Sequence, residues 1–290
     1  MEASEAVALE LLGNLLRERG LAGERVGIEE GAVSWSAARR LERGLPQVQW
    51  HDAGSVFNSV RLIKTPGEIA VLRRAAEQTD RAIGAAFALI SVGDTELDLA
   101  AEIQANILRR EADAISHAHI QFGVRSTTAH SLSGPVPCQT GDVIHVDFGG
   151  KFLGYHSDVS RNAIVGRPSR RQAAIYTLLS EIQEALLESI RPGLVVAELR
   201  ARAAALFAER ELRHAWATIG HSVGLSLHEG FEIAADTEIA IEENMVLAVE
   251  PSHIEPGDAR YDIEDMVLVT ADGSERISTF LDTQEMFRIR

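Results

Sequence analysis

Leucines recur at helical spacing near the start of the chain, at Leu9, Leu12, Leu15 and Leu16, and predict a helix over Glu5–Arg19. Arg25–Glu29 reads as a short strand, Ser36–Arg43 as a second helix and Val48–Asp52 as a second strand. Lys64-Thr65-Pro66-Gly67 then interrupts the pattern, because proline and glycine punctuate regular structure. The expected division falls there, with a small α/β piece over 1–61 and a larger domain over 62–290.

From Glu68 onward one pattern appears twice. The first round opens with a helix over Glu68–Leu89, carrying Ile69, Leu72, Ala76 and Ile83 on one face. A second helix starts at Thr95, where Asp98 three residues on completes a capping-box-like start. Strand-like segments follow at Asp142–Phe148 and Gly154–Val165. The second round opens at Pro168-Ser169, with Gln172 three past the serine, and its stripe is Ile175, Leu178, Leu179, Ile182 and Leu186. A helix over Val196–Glu209 follows, then strand-like segments at Met245–Glu250 and Tyr261–Thr270. Two successive α-α-β-β units imply an internal pseudo-repeat, with two similar halves around a shared sheet. The class is α+β.

Charge narrows the partners. There are 28 basic against 43 acidic side chains, a net charge of −15, and a surface that acidic repels phosphate backbones and anionic lipid. Nucleic-acid and membrane partners are therefore not expected. Cys138 is the single cysteine, so no disulfide forms within the chain, and the N-terminus lacks a basic region followed by an apolar one. A cytoplasmic location is expected.

The chemistry concentrates in the strand-like segments. In Asp142–Phe148, Ile144, Val146 and Phe148 face one way while Val143, His145 and Asp147 face the other. A hairpin centred between Phe152 and Leu153 sets Asp147 directly opposite Asp158, with Cβ atoms about 4.5–5.5 Å apart. Two bare carboxylates so close repel, and one takes up a proton unless cations neutralise both. Taken alone, the pair reads equally as two solvated edge-strand aspartates. The second half adds His221 and His228 in Gly220-His-Ser-Val-Gly224-Leu-Ser-Leu-His228-Glu-Gly230, Glu250 at the end of Val246-Leu-Ala-Val, and Glu264 at the head of another strand. Hard oxygen ligands with an imidazole suit Mn²⁺, Co²⁺, Fe²⁺ or Zn²⁺, and the lack of thiolates speaks against a structural zinc site.

The order of these residues resembles that of the pita-bread metallohydrolases: methionine aminopeptidase, aminopeptidase P, prolidase and creatinase-like relatives. The likeness is carried by Val146-Asp147-Phe-Gly149, Gly154-Tyr-His-Ser-Asp158-Val-Ser-Arg161, the Gly-His-x-x-Gly segment at His221, Glu250-Pro251 and Ile263-Glu264-Asp265. It spans about residues 62 to 285 and is nearest the prolidase and Xaa-Pro aminopeptidase branch. It implies a pita-bread fold with a curved shared sheet, and residues 1–61 resemble a partial, creatinase-type N-terminal domain. It implies two divalent metal ions per chain, Mn²⁺ foremost, held by Asp147, Asp158, His221, Glu250 and Glu264.

The activity implied is that of a dinuclear hydrolase, an aminopeptidase or dipeptidase of Xaa-Pro type that uses a metal-bridging hydroxide on the N-terminal peptide bond. Glu250 would shuttle the proton, His228 would stabilise the tetrahedral intermediate, and His130 would contact the substrate near the scissile bond. A homodimer is implied as well. His156 lies two residues before Asp158 and faces the same side, behind the ligands; His51, His117, His119, His145, His214 and His253 receive no role.

Three departures from the family pattern stand out. Asp262 occupies the position two before the last glutamate, where proline-specific members usually carry arginine, and the nearest arginine is Arg260. Ser222 stands where glycine is commoner, and Pro251 is followed by Ser252-His253. They keep two alternatives open: a small-molecule C–N hydrolase or lyase acting on an amide or amidine, and a non-catalytic protein that binds peptides or partners.

Overall fold

The computed structural model describes residues 2–290, with side chains from residue 7 onward. The chain divides into two compact units, Met1–Val60 and Arg61–Arg290. The first holds α1 (Glu2–Glu18), β1 (Arg25–Ile28), α2 (Trp35–Gly44), β2 (Gln49–Asp52) and most of α3 (Gly54–Leu62). β1 and β2 pair in parallel, and Leu16, Leu45 and Val48 form a small core of their own.

The larger unit repeats one architecture. Its first half is α4 (Pro66–Phe87), α5 (Glu96–Arg109), β3 (Ala114–Phe122), β4 (Val143–Phe152), β5 (Tyr155–His156) and β6 (Val159–Val165). The second is α6 (Arg170–Leu187), α7 (Val196–Glu209), β7 (Gly220–Ser222), β8 (Val246–Val249), β9 (Ser252–Ile254), β10 (Arg260–Asp262), β11 (Asp265–Val269) and β12 (Ser274–Arg276), followed by β13 (Phe287–Ile289). The expected helix starts are present: Thr95 with Asp98, and Ser169 with Gln172, form full capping boxes. A third, Thr65 with Glu68, opens α4, with Pro66 at its first turn.

The shared sheet consists of two leaves of matching order, β13-β6-β4-β3 and β12-β11-β8-β7. Each leaf buries its outer face under its own helix pair. Ile83, Phe87, Ile103 and Ile107 pack with Ile120, Ile144, Val146 and Phe148 in the first half, and Ile175, Leu179, Ile182, Leu199 and Leu206 pack with Val249 and Val267 in the second. The leaves meet where the Glu264 N–H donates to the Ser160 carbonyl at 3.1 Å. Arg167, exposed between β6 and α6, lies on the link between the halves. Among the described residues no helix is long and apolar enough to cross a membrane.

Two local expectations are corrected. Each half has more strands than the α-α-β-β reading gave: β3, β7, β9, β12 and β13 are additional, and the expected segments Gly154–Val165 and Tyr261–Thr270 are each split in two, into β5 and β6 and into β10 and β11. The β4 hairpin turns at Leu153 and Gly154, both with positive φ (50° and 87°), one residue later than expected. A two-residue turn that matches strand twist needs positive φ at both central residues. The register is therefore Lys151 with His156 and Asp147 with Ser160, not Asp158. Asp158 falls in the break between β5 and β6, diagonal to Asp147 and on the same face.

Candidate metal centre

The inner faces of the two leaves enclose a cavity of about 270 Å³, and all seven residues singled out in the sequence line it. Asp147 comes from β4, Asp158 from the break before β6, His221 from β7, Glu250 from the residue after β8 and Glu264 from the residue before β11. His130 sits in a turn with φ of 51°, and His228 lies in the loop after β7. His228 stacks on His221 with ring centroids 3.8 Å apart, and its Nδ1 meets the Glu232 carboxylate.

The donor atoms gather in overlapping triads. Asp158, His221 and Glu264 form one, with His221 Nε2 3.3 Å from Asp158 Oδ2. Asp147 and Asp158 form a second with His117, whose Nε2 lies 3.0 Å from an oxygen of each. His119, His130 and Asp147 form a third. Glu250 lines the cavity but belongs to none of these triads; Arg260 Nη2 stands 3.8 Å from its Oε2.

The sequence assigns no role to His117 or His119. Their strand, β3, carries a period-two alternation that marks them: Ala118, Ile120 and Phe122 face the core while His117, His119 and Gln121 face the other side. His156 lies behind them, its Nδ1 2.6 Å from Ser116 Oγ, which is in turn 3.3 Å from His117 Nδ1. Gly149, opposite His117 in the ladder, makes the approach possible. A Cβ there would stand 2.1 Å from the Ser157 carbonyl and 2.5 Å from the His117 ring.

Crowding divides the titration of these groups. Burial raises the Glu264 carboxyl well above the usual range, and Asp158 adds to the effect. Burial and the neighbouring Asp262 push Glu250 up to about 8. Burial opposes ionisation of Asp158 and Asp147 too, but the imidazole of His117 prevails and holds both low. Burial lowers His221 and His117, yet Asp158 outweighs it; His221 rises to about 9 and His117 goes well above its ordinary value. Protons and imidazolium charges thus balance a knot of anions, a task that divalent cations perform when these groups act as ligands.

Fixed charges hold the knot from behind. Arg161, buried, donates from Nε to Asp80 Oδ1 at 2.9 Å, from Nη2 to Asp265 Oδ1 at 2.9 Å and from Nη1 to the Glu264 carbonyl at 2.7 Å. Lys64 pairs with Glu229 at 3.0 Å, both buried, and Glu229 accepts the Leu225 N–H in the loop that carries His228. Asp262 accepts from Arg260 Nη2 and lies 3.4 Å from His145 Nε2.

Comparison with known proteins decides the family. Residues 70–271 match the model for metallopeptidase family M24, and residues 2–63 match the creatinase/prolidase N-terminal domain. The chain belongs to metallopeptidase family M24. The Xaa-Pro dipeptidase of Pyrococcus furiosus is 30% identical over 257 residues, which cover 88% of this chain and 74% of that one. Among solved structures, the X-Pro aminopeptidase of Thermotoga maritima MSB8 superposes with a TM-score of 0.89 at 25% identity, covering 97% of this chain and 79% of that one. The prolidase of Pyrococcus furiosus gives 0.83 at 30% identity, covering 89% and 77%.

The M24 chain is therefore a metal-dependent peptidase with the pita-bread fold. Its donor set fits a divalent cation. The His117 Nε2 is buried without a well-directed hydrogen-bond partner, although two carboxylate oxygens surround it. Carboxylates with imidazoles and no thiolate are the donors that Mn²⁺, Co²⁺, Fe²⁺ and Zn²⁺ accept.

Proposed function

We propose that this chain is an Xaa-Pro dipeptidase or aminopeptidase that holds two divalent ions, Mn²⁺ foremost, through Asp147, Asp158, His221, Glu250 and Glu264. The observation that carries the reading is the shared carboxylate of Asp158, which joins one imidazole-containing triad on each leaf at the wall of a single cavity. When bound, such ions would polarise a carbonyl and lower the pKa of bound water toward neutral.

The chain's own groups do the rest. Glu250, on the wall of the cavity, would carry a proton from the attacking water to the leaving nitrogen. His228, its ring oriented through the contact of Nδ1 with the Glu232 carboxylate, would stabilise the developing oxyanion. His130 positions the substrate against the same wall as His119, their rings 4.9 Å apart. Arg260 brings to the cavity the cation that position 262 lacks. Its guanidinium lies 5.1 Å from the centroid of the Trp216 ring and is fixed by Asp262. This arrangement favours a peptide substrate over a small amide.

Residues 1–61 would serve as a partial N-terminal domain and 62–290 as the catalytic one, in a cytoplasmic homodimer. The test is release of free amine after Mn²⁺ loading, from Xaa-Pro dipeptides, Xaa-Pro-Yaa tripeptides and Met-Ala-Ser, with Asp158→Ala as control. Cleavage of the Xaa-Pro members by wild type alone is expected. Cleavage of Met-Ala-Ser only, or full activity in Asp158→Ala, refutes the assignment.

A further inference from the structure

We propose that His117 faces metal directly, so that the ion between Asp147 and Asp158 has an imidazole of its own and does not depend on carboxylates alone. The inference rests on the two-ion reading above and extends its ligand set by a residue outside the five.

Geometry carries it. His117 Nε2 lies 3.0 Å from Asp147 Oδ1 and 3.0 Å from Asp158 Oδ1. Ligand atoms at right angles around an ion about 2.1 Å away are themselves about 3.0 Å apart. His117 Nε2 is therefore spaced from each of the two carboxylate oxygens as neighbours in one coordination shell are, and all three atoms lie within 4.8 Å of one another. The opposite triad, Asp158, His221 and Glu264, has the same composition with one glutamate in place of an aspartate. Asp158 is common to both, giving each ion one histidine and a share of the central carboxylate.

The surroundings are shaped for this role. His117 Nδ1 is close to Ser116 Oγ at 3.3 Å, and that hydroxyl is held by His156 Nδ1 at 2.6 Å, so Nε2 is the atom turned to the carboxylates. A metal-ligating imidazole is commonly oriented in this way through its second nitrogen. A bulge between Ile115 and His117 re-aims the strand at this point. The ring occupies the space that the absent Gly149 side chain leaves over the ladder.

An added imidazole also changes selectivity. Nitrogen donors favour Co²⁺ and Zn²⁺ over Mn²⁺ more strongly than carboxylates do. Removing His117 should weaken one of two Co²⁺ sites by at least about 10–100-fold, the scale seen when even outer-shell partners are removed. Mn²⁺ binding should weaken less. A residue that merely packed would lower both equally or neither.

The experiment titrates purified full-length wild type and His117→Ala with Co²⁺ and, separately, Mn²⁺, by calorimetry and by visible absorption for cobalt. His117→Gln replaces the alanine variant if that fails to fold. In parallel, zinc-edge X-ray absorption counts imidazoles on zinc-loaded wild type and needs no variant. Two sites, selective loss of one Co²⁺ site, and an average of one imidazole per zinc are the expected results. Two intact sites in the variant with half an imidazole per zinc overturn the role of His117 and leave the peptidase reading standing. No metal binding by wild type overturns both.

Discussion

Replacing Arg161 by methionine keeps much of the stem volume and deletes every donor of the guanidinium. The wild-type side chain is 2% exposed and lies between Asp80 and Asp265, each fully buried. It also donates to the carbonyls of Ser160 at 3.0 Å, Glu264 at 2.7 Å and Ser278 at 3.3 Å. After the change Asp80 keeps the N–H groups of Phe280 and Leu281, and Asp265 keeps Gln183, Ser278 and Arg276, but Asp80 is left without a cation. Breaking a buried pair from one side costs roughly 3–5 kcal/mol. For a unit of this size, at about 2–4 °C per kcal/mol, that lowers the melting temperature by roughly 6–20 °C. Thermal and urea unfolding followed by circular dichroism measure it, with the midpoint moving and the slope unchanged. Acid provides a second check. Arg161 holds the Asp265 carboxyl low, against burial, so its share of stability is present above the ordinary carboxylate range and is lost as pH falls. The gap between wild type and variant should therefore narrow below pH 5. A loss under about 1 kcal/mol, or a gap that widens in acid, would refute the account.

Three further outcomes follow from the same geometry. Gly149→Ala drives a methyl to 2.1 Å from the Ser157 carbonyl, and should cost about 2 kcal/mol or more and weaken metal binding, read by thermal unfolding and Mn²⁺ calorimetry. Lys64→Met strands Glu229 in the interior, so a loss of about 3–5 kcal/mol is expected, and turnover should fall with it because Glu229 supports the His228 loop; unchanged unfolding would count against the pair. Burial lowers the pKa of His214, so its contribution to stability is complete above pH 6.5 and declines on acidification below it. His214→Gln should flatten that part of the stability profile, and a profile parallel to wild type would contradict the assignment.

Much of this arrangement was legible in the sequence because it follows local rules. Thr95 with Asp98 and Ser169 with Gln172 announce helix starts wherever they occur, and the structure has both as complete capping boxes. Val196–Glu209 was bounded correctly by its apolar spacing. The order and neighbours of Asp147, Asp158, His221, Glu250 and Glu264 single them out, a signal that does not depend on where strands begin, and the fold brings all five to the wall of one cavity. β3 was harder, because its inward face is polar. A strand that presents His117 and His119 to a cavity and Gln121 to buried polar partners lacks the hydrophobic run usually taken as a strand, and only the alternation remains. The hairpin register failed for a smaller reason. Leu153 adopts positive φ, which is uncommon for leucine, so the turn falls one residue later than glycine spacing suggested.

Neither half of the larger unit contains a full set of donors. His117, Asp147 and Asp158 precede Arg167, and His221, Glu250 and Glu264 follow it. A cut at exposed Arg167 would divide the cavity wall between two pieces, neither of which carries the whole lining. The later fragment still carries β13, which adds to β6 of the earlier one with Ile289 beside Val165. The boundary at Arg167 is therefore a place to divide the chain so that reassembly of the two fragments would be read as restored metal binding and peptide cleavage.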